Sequence, residues 1–446
     1  IWHDNTANLL INLLISIEKI MTNTSSLTIG IVAGEVSGDA LGGDFMQKMN
    51  ALHPNIRWVG VGGRSMATQG LSSVIDMGRL SVMGLAEVMM HLPDLLKAKK
   101  QIITAFKTHQ IDLFVGIDAP DFNLRIGKIL KPQGVFCVQY VSPSIWAWRE
   151  GRIHHIKAAT DLVLCLFPFE LGVYQKYAHP AICVGHPLLN KLHAHQDSPK
   201  VRLENFIHQY HNHHHGVTTL IKASHIICLM AGSRTSEIRA MLPLLLTSAQ
   251  NIHQQIPTVQ FVLPVVSAEH ARLVHEILHT HHANLVNCVH ILDDHNRSQK
   301  QNQPAISHAC MTISDVVLLA SGTATLECLL LERPMVVVYQ VNPLTFMIAK
   351  RLVKIPYVSL PNILAKQYLG HPIVPELLQS DATAEKVSTK ALGIIHHPNK
   401  QTKQLSNISA WLRSQSHQNS AKAVLDHYFM STKKSYDTHH ITKAYE

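Results

Sequence analysis

The sequence predicts an α/β protein made of two doubly wound domains facing a cleft, and three observations carry that expectation. Short apolar runs alternate with longer amphipathic stretches along most of the 446 residues, the pattern of parallel strands joined by helices. The alternation stops at Gly185-His186-Pro187 and restarts after about Lys222, so one architecture occurs twice. Several strands run straight into small-residue turns that open helices, at the sheet edge where doubly wound folds hold ligands.

Taken in order, the first half opens with a strand at Leu27–Ala33 and a helix at Asp39–Leu52. Strands at Arg57–Val61, Leu113–Ile117, Val135–Tyr140, Leu162–Leu166 and Ala181–Val184 follow, with an amphipathic helix at Leu95–His109 among them. These strands are continuous aliphatic runs bounded by turn residues, as expected where helices cover both faces of a parallel sheet. The second half repeats the rhythm with strands His225–Met230, Gln260–Val266, Val286–Leu292, Val316–Ala320 and Met335–Gln340. Its helices run to about Ile252 and Leu278, and Asp293–Gln303 reads as a polar surface loop. Two Rossmann-like domains are therefore expected, at 27–190 and 223–370, with a polar linker or insertion at 191–222. Helices at 371–430 would pack back on the first domain or exchange in a dimer, and 431–446 is a polar tail. Residues 1–26 are expected to stand outside the fold. Their run Leu9–Ile17 is shorter than the ~20 residues that span a bilayer, and it lacks a basic leader and an A-x-A site.

Composition narrows the function. Charged residues make up only 15% of the chain, which excludes a disordered scaffold. The seven cysteines are odd in number, form no C-x-x-C and mostly sit in apolar runs, so they read as reduced, buried thiols of a cytosolic protein. The net charge of +9 points to anionic partners: phosphorylated substrates or an anionic membrane face. Nucleic acid is the weakest choice, because no arginine-rich block interleaves with aromatics. The 32 histidines are scattered, and His213-His214-His215 lack acidic or thiol partners at ligand spacing, so no metal site is expected.

The most informative junction is the buried run Ser314–Ala320 breaking into Ser321-Gly322-Thr323-Ala324-Thr325-Leu326-Glu327. Free amides and the helix dipole converge at such a turn and favour an anion. Glu327, one turn further on, could accept from a ribose hydroxyl. The competing reading is a plain turn in which Ser321 or Thr323 caps the helix. A second junction, Ile226–Met230 into Ala231-Gly232-Ser233-Arg234, adds a guanidinium suited to a diphosphate, or else paired to a surface carboxylate.

The first strand ends in Gly34-Glu35-Val36-Ser37-Gly38-Asp39, which presents Glu35, Ser37 and Asp39 at the cleft edge or uses Ser37 and Asp39 to start the helix. This is not the G-x-G-x-x-G fingerprint, and Gly60-Val61-Gly62-Gly63 misplaces the third glycine, so a nicotinamide cofactor is not supported. Asp118 follows the strand Leu113–Ile117 with no capping duty, and it is either a general base towards a sugar hydroxyl or an ordinary turn aspartate. Trp146 and Trp148 either wall an acceptor pocket or pack in the core. Met77–Lys100 is apolar nearly all round, with Val82, Met83, Leu85, Met89 and Met90 ahead of Lys97, Lys99 and Lys100. It reads as a surface for lipid or acyl chains, or as a fully buried helix.

Seven motifs in order make the chain resemble the bacterial lipid A disaccharide synthase family of inverting GT-B glycosyltransferases. They are V-A-G-E-V-S-G-D (Val32–Asp39), V-M-G-L-A-E-V (Val82–Val88), V-G-I-D-A-P-D-F-N (Val115–Asn123), Y-V-S-P-S-I-W-A-W-R (Tyr140–Arg149), G-S-R (Gly232–Arg234), L-L-A-S-G-T-A-T-L-E (Leu318–Glu327) and Y-V-S-L-P-N (Tyr357–Asn362). The resemblance implies transfer of 2,3-diacylglucosamine from UDP-2,3-diacylglucosamine to 2,3-diacylglucosamine 1-phosphate (lipid X). The products would be a β-1,6 disaccharide 1-phosphate and UDP. It implies that Asp118 is the catalytic aspartate, that Arg234, Glu327 and Asn362 lie on the nucleotide side, and that the first domain faces acceptor and membrane. It further implies a peripheral enzyme on the cytoplasmic face of the inner membrane, without metal or other cofactor, in a family with dimers that exchange C-terminal segments. A UDP-GlcNAc epimerase or peptidoglycan-type transferase, and a nucleotide-sugar-binding protein without chemistry, are the competing readings. The Met-rich helix and the retained Asp118, Arg234 and Glu327 weigh against them.

Overall fold

The computed structural model describes residues 26–80, 85–211, 216–293, 305–340, 356–416 and 419–432, excluding the side chains of 85–90. Val82 and Met83 lie outside the described residues, as do the side chains of Leu85, Met89 and Met90, the histidines 213–215 and most of the loop after Asp293. The described chain forms two compact units. One ends at His186 and resumes at Ser416; the other is Pro187–Gln415.

The first unit holds a parallel six-stranded sheet in the order β2-β1-β3-β4-β5-β6. Its strands are β1 (Leu27–Ala33), β2 (Ile56–Val61), β3 (Leu113–Ile117), β4 (Phe136–Tyr140), β5 (Leu162–Cys165) and β6 (Ala181–Cys183). Helices cover the sheet through apolar residues at helical spacing. Ala98, Ile102 and Phe106 of the helix Leu85–Thr108 are buried, while its Leu92, Leu96, Lys97 and Lys100 are exposed. From residue 91 onward this helix is thus amphipathic rather than wholly buried. The last helix, Ser420–Thr432, packs on the helix Val36–Leu52, and Tyr428 meets Phe136 edge-on at 5.8 Å.

The second unit repeats the plan with β12-β11-β10-β7-β8-β9, again all parallel. Its strands are β7 (Ile226–Met230), β8 (Gln260–Val265), β9 (Val289–Asp293), β10 (Val316–Ala320), β11 (Met335–Tyr339) and β12 (Glu376–Leu378). Val316 to Leu319 are fully buried on both faces of β10, each contributing roughly 1.5–3 kcal/mol of apolar burial. The polar stretch 191–222 folds within this unit. A helix at Pro199–Tyr210 begins where Ser198 caps Val201 N–H and buries only Phe206 and Tyr210, too few apolar positions to give a clear period.

Strand order reverses once in each sheet. In the first unit the reversal lies between β1 and β3, which pair Ala33 with Ile117; in the second it lies between β7 and β10, which pair Met230 with Leu319. At these points connecting helices diverge to opposite faces and leave a crevice at the carboxyl ends of the strands. Among the described residues, no helix is long and apolar enough to cross a membrane.

Candidate active site

The first crevice gathers Glu35 and Asp118. Asp118 leaves β3 with φ +49° and Ala119 follows at +38°, two left-handed residues in succession without a glycine. Such backbone is strained and persists only where its surroundings hold it. Here the holding groups are two buried side-chain amides. Asn123 Nδ2 donates to the carbonyl of Asp118 at 2.9 Å and of Ile117 at 3.2 Å, and Gln139 Nε2 donates to the Asp118 carbonyl at 3.0 Å. The Asp118 N–H donates to Tyr140 at 2.8 Å. Asn123 can reach these carbonyls because Gly116 lies beneath it: a Cβ on Gly116 would come 2.6 Å from that of Asn123. The helix Pro120–Leu130 therefore seats directly on the strand.

The Asp118 carboxyl is half-buried. Burial first, and then the neighbouring Glu35 carboxylate, raise its pKa above that of an ordinary aspartate. Ser37 does not cap its helix; its hydroxyl donates to Glu35 Oε1 at 2.6 Å. Asp39 is not at the crevice edge. It is buried and accepts from the amides of Gly63, Ser65 and Met66 at 2.7–3.1 Å, tying down the turn after β2. Trp146 packs edge-on to Phe169 at 4.5 Å, while Trp148 carries the Arg149 guanidinium 4.1 Å above its ring.

The second crevice gathers the two small-residue turns. The helix Thr323–Leu330 has no side-chain cap: the Ser321 hydroxyl donates instead to Val358 O at 3.1 Å. Among the described residues nothing comes within 4 Å of where a Cβ on Gly322 would stand, so an anion can approach the helix start. Glu327, in the same helix, is half-buried with its carboxylate 3.5 Å from His308 Nε2.

The turn before the helix Thr235–Gln255 is different. Glu237 turns back to accept from Ser233 N–H at 2.9 Å and Arg234 N–H at 3.3 Å, and it pairs with the Arg234 guanidinium at 3.1 Å. This helix start is filled by its own carboxylate, a capping box, and what faces outward is the Arg234 side chain.

Asn362 is not presented as a ligand group. It is buried, with Nδ2 donating to Val374 O and Glu376 and Oδ1 accepting from Ile373 and Val374. Glu376 in turn accepts from Val358 N–H, Ser359 N–H and the Ser359 hydroxyl. Asn362 thereby fixes the segment whose carbonyl takes the Ser321 hydroxyl.

Sequence reading missed Gln139, Asn123 and Glu376 as site builders. For Gln139 a signal existed: a lone amide inside the buried run Val135–Tyr140 must have internal partners.

The lipid-A-disaccharide synthetase family model matches residues 29–428. The lipid-A-disaccharide synthase of Pseudomonas putida KT2440 is 40% identical over 401 residues, spanning 90% of this chain and 98% of that protein. The Pseudomonas aeruginosa UCBPP-PA14 lipid-A-disaccharide synthase is also 40% identical, over 90% of this chain and 97% of its own length. Among solved structures, the glycotransferase of kitacinnamycin aligns with a TM-score of 0.55 at 13% identity, covering 90% of this chain and 99% of that one. The UDP-GlcNAc 2-epimerase of Neisseria meningitidis bound to UDP-GlcNAc aligns at 0.55 and 11% identity, covering 91% and 100%. At such identities these two speak to the fold alone. The match to the family model runs from β1 to the last helix and includes both crevices: the chain belongs to the lipid-A-disaccharide synthetase family.

Proposed function

We propose that this protein transfers 2,3-diacylglucosamine from its UDP derivative to 2,3-diacylglucosamine 1-phosphate (lipid X), forming a β-1,6 disaccharide 1-phosphate and UDP. The observation that carries this reading is Asp118. In a chain of this family, it is a half-buried carboxyl held in left-handed backbone at a switch-point crevice.

In the proposed reaction Asp118 takes the proton of the acceptor 6-hydroxyl while that oxygen attacks the anomeric carbon opposite UDP. The C–O bond to the diphosphate breaks through an oxocarbenium-like transition state, and the configuration inverts. Charge building on the leaving diphosphate is stabilised by the uncapped helix start at Ser321-Gly322-Thr323 and by Arg234. Glu327 accepts from a ribose hydroxyl. Glu35 and Ser37 border the acceptor side, and Asn362 orders the segment next to Ser321. Leu92 and Leu96, exposed beside Lys97 and Lys100, support acyl-chain and anionic-lipid contact continuing into Leu85, Met89, Met90, Val82 and Met83. The enzyme then works as a peripheral protein on the cytoplasmic face of the inner membrane.

The test is Asp118→Asn assayed with both acylated sugars, with product identified by mass spectrometry. The variant is expected to bind UDP like the parent and to lose turnover by at least ~100-fold. Turnover equal to the parent would remove the base from the scheme.

A further inference from the structure

A concavity in the Pro187–Gln415 unit, lined by apolar and polar side chains together, has no part in the scheme above. It is a cavity of about 740 Å³ between the stretch Leu188–Gln209 and the helix Ile306–Ile313, a size that admits a small organic ligand. It belongs to the opposite edge of the sheet from the nucleotide turns. Its Arg202 is acted on by Asp315, the residue just before β10, whose carboxylate accepts from Ile226 N–H at the start of β7. Arg333, just before β11, donates to Leu331 in the cavity wall.

Among the described residues, Lys191 and Arg202 bring two cations to the wall against the one carboxylate of Asp197, with His193, His195 and His308 beside them. Arg202 donates through Nη1 to the Asp197 carbonyl at 3.3 Å, but its Nε and Gln209 Nε2 are buried with no hydrogen-bond partner among the described residues. A buried donor without a partner is costly, so two in one wall indicate a place shaped for an acceptor. The guanidinium neighbours make the same point. Burial lowers the pKa of both Arg202 and Arg333; for Arg202 the carboxylates of Asp315 and Asp197 oppose this, and for Arg333 the next cause is the charge of Arg202 itself, opposed by Cys328, Glu332 and Asp315. Like charges held together in a protein wall are relieved by an anion. Leu188, Leu192, Phe206 and Ile313 supply apolar surface for the body of a ligand.

We infer that this cavity is a second anion site, taking a phosphomonoester on a small organic body through Arg202, Gln209 and Lys191, separate from the site for the UDP diphosphate. Its location does not depend on the proposed sugar transfer. One wall residue, His308, also reaches Glu327 at 3.5 Å, which gives occupancy a route to the nucleotide side.

The experiment is calorimetric titration of the full chain with glycerol 3-phosphate and with inorganic phosphate, at matched ionic strength, with and without saturating UDP. Binding that persists under UDP and weakens at least 10-fold in Arg202→Met supports the site. Lys191→Met and Gln209→Leu, whose side chains are not wholly buried, provide the same reading if Arg202→Met fails to fold. No binding by the parent, binding abolished by UDP, or unchanged binding in the folded variants would overturn it. A parallel titration of the same protein with UDP alone tells failure of this site from failure of the nucleotide reading.

Discussion

Replacing Asn123 with alanine tests whether the strained turn at Asp118 is held by side-chain amides. The substitution removes the donor that reaches the Asp118 carbonyl at 2.9 Å and the Ile117 carbonyl at 3.2 Å, leaving Gln139 at 3.0 Å as the remaining amide on Asp118. A buried carbonyl stripped of a donor costs about 1–3 kcal/mol. The two left-handed residues hold a further ~1–3 kcal/mol each that the amide helps to balance. These quantities are similar, so the turn is expected to relax while the fold, with a stability of order 5–15 kcal/mol, survives. A carboxylate displaced by ~1 Å loses on the order of 100-fold in rate. The expected result in steady-state disaccharide assays is kcat lowered by ~10–100-fold with little change in UDP affinity. Urea denaturation should show a loss of ~1–3 kcal/mol. The two amides share one carbonyl, so Asn123→Ala and Gln139→Leu should be non-additive. Unchanged kcat alongside the stability loss would show that the amide merely supports the fold, and the positioning argument would fail.

Two further outcomes follow from the buried carboxyls. Glu35 raises the pKa of Asp118, so Glu35→Gln should move the acid limb of the kcat/KM profile to lower pH, as the ionised base then persists further into acid; a limb that stays or moves upward contradicts the pairing. Glu170, buried in the short 3-10 turn Pro168–Glu170 after β5, is pushed by burial from an ordinary 4.5 to about 7; at ~1.36 kcal/mol per unit this is roughly 3 kcal/mol. Because the folded state favours the protonated form, this contribution is complete below about pH 4.5 and disappears as pH rises through about 7. Denaturation at pH 4.5 and 8 should therefore show the parent losing roughly 3 kcal/mol relative to Glu170→Gln, and a pH-independent difference between the two proteins would refute it.

The amino-acid sequence by itself determined the two α/β repeats, because strands buried on both faces must be aliphatic throughout and their turns must be small. It also determined that Asp118, Ser321-Gly322-Thr323 and Glu327 stand at strand ends and helix starts, since chain-local order settles that much. Tertiary structure decided which polar groups remain available. Asp39 and Asn362 look on paper like groups awaiting a ligand, yet each is engaged by backbone amides from a neighbouring loop, and Glu237 closes the start of its own helix. Ser321, the natural cap, turns to Val358 and leaves the helix start open. Hydrogen bonds across tens of residues have no local periodicity, and the strain at Asp118 is visible only as a backbone angle. Partners of that kind are chosen by packing, which brings strand and helix together only in the folded chain.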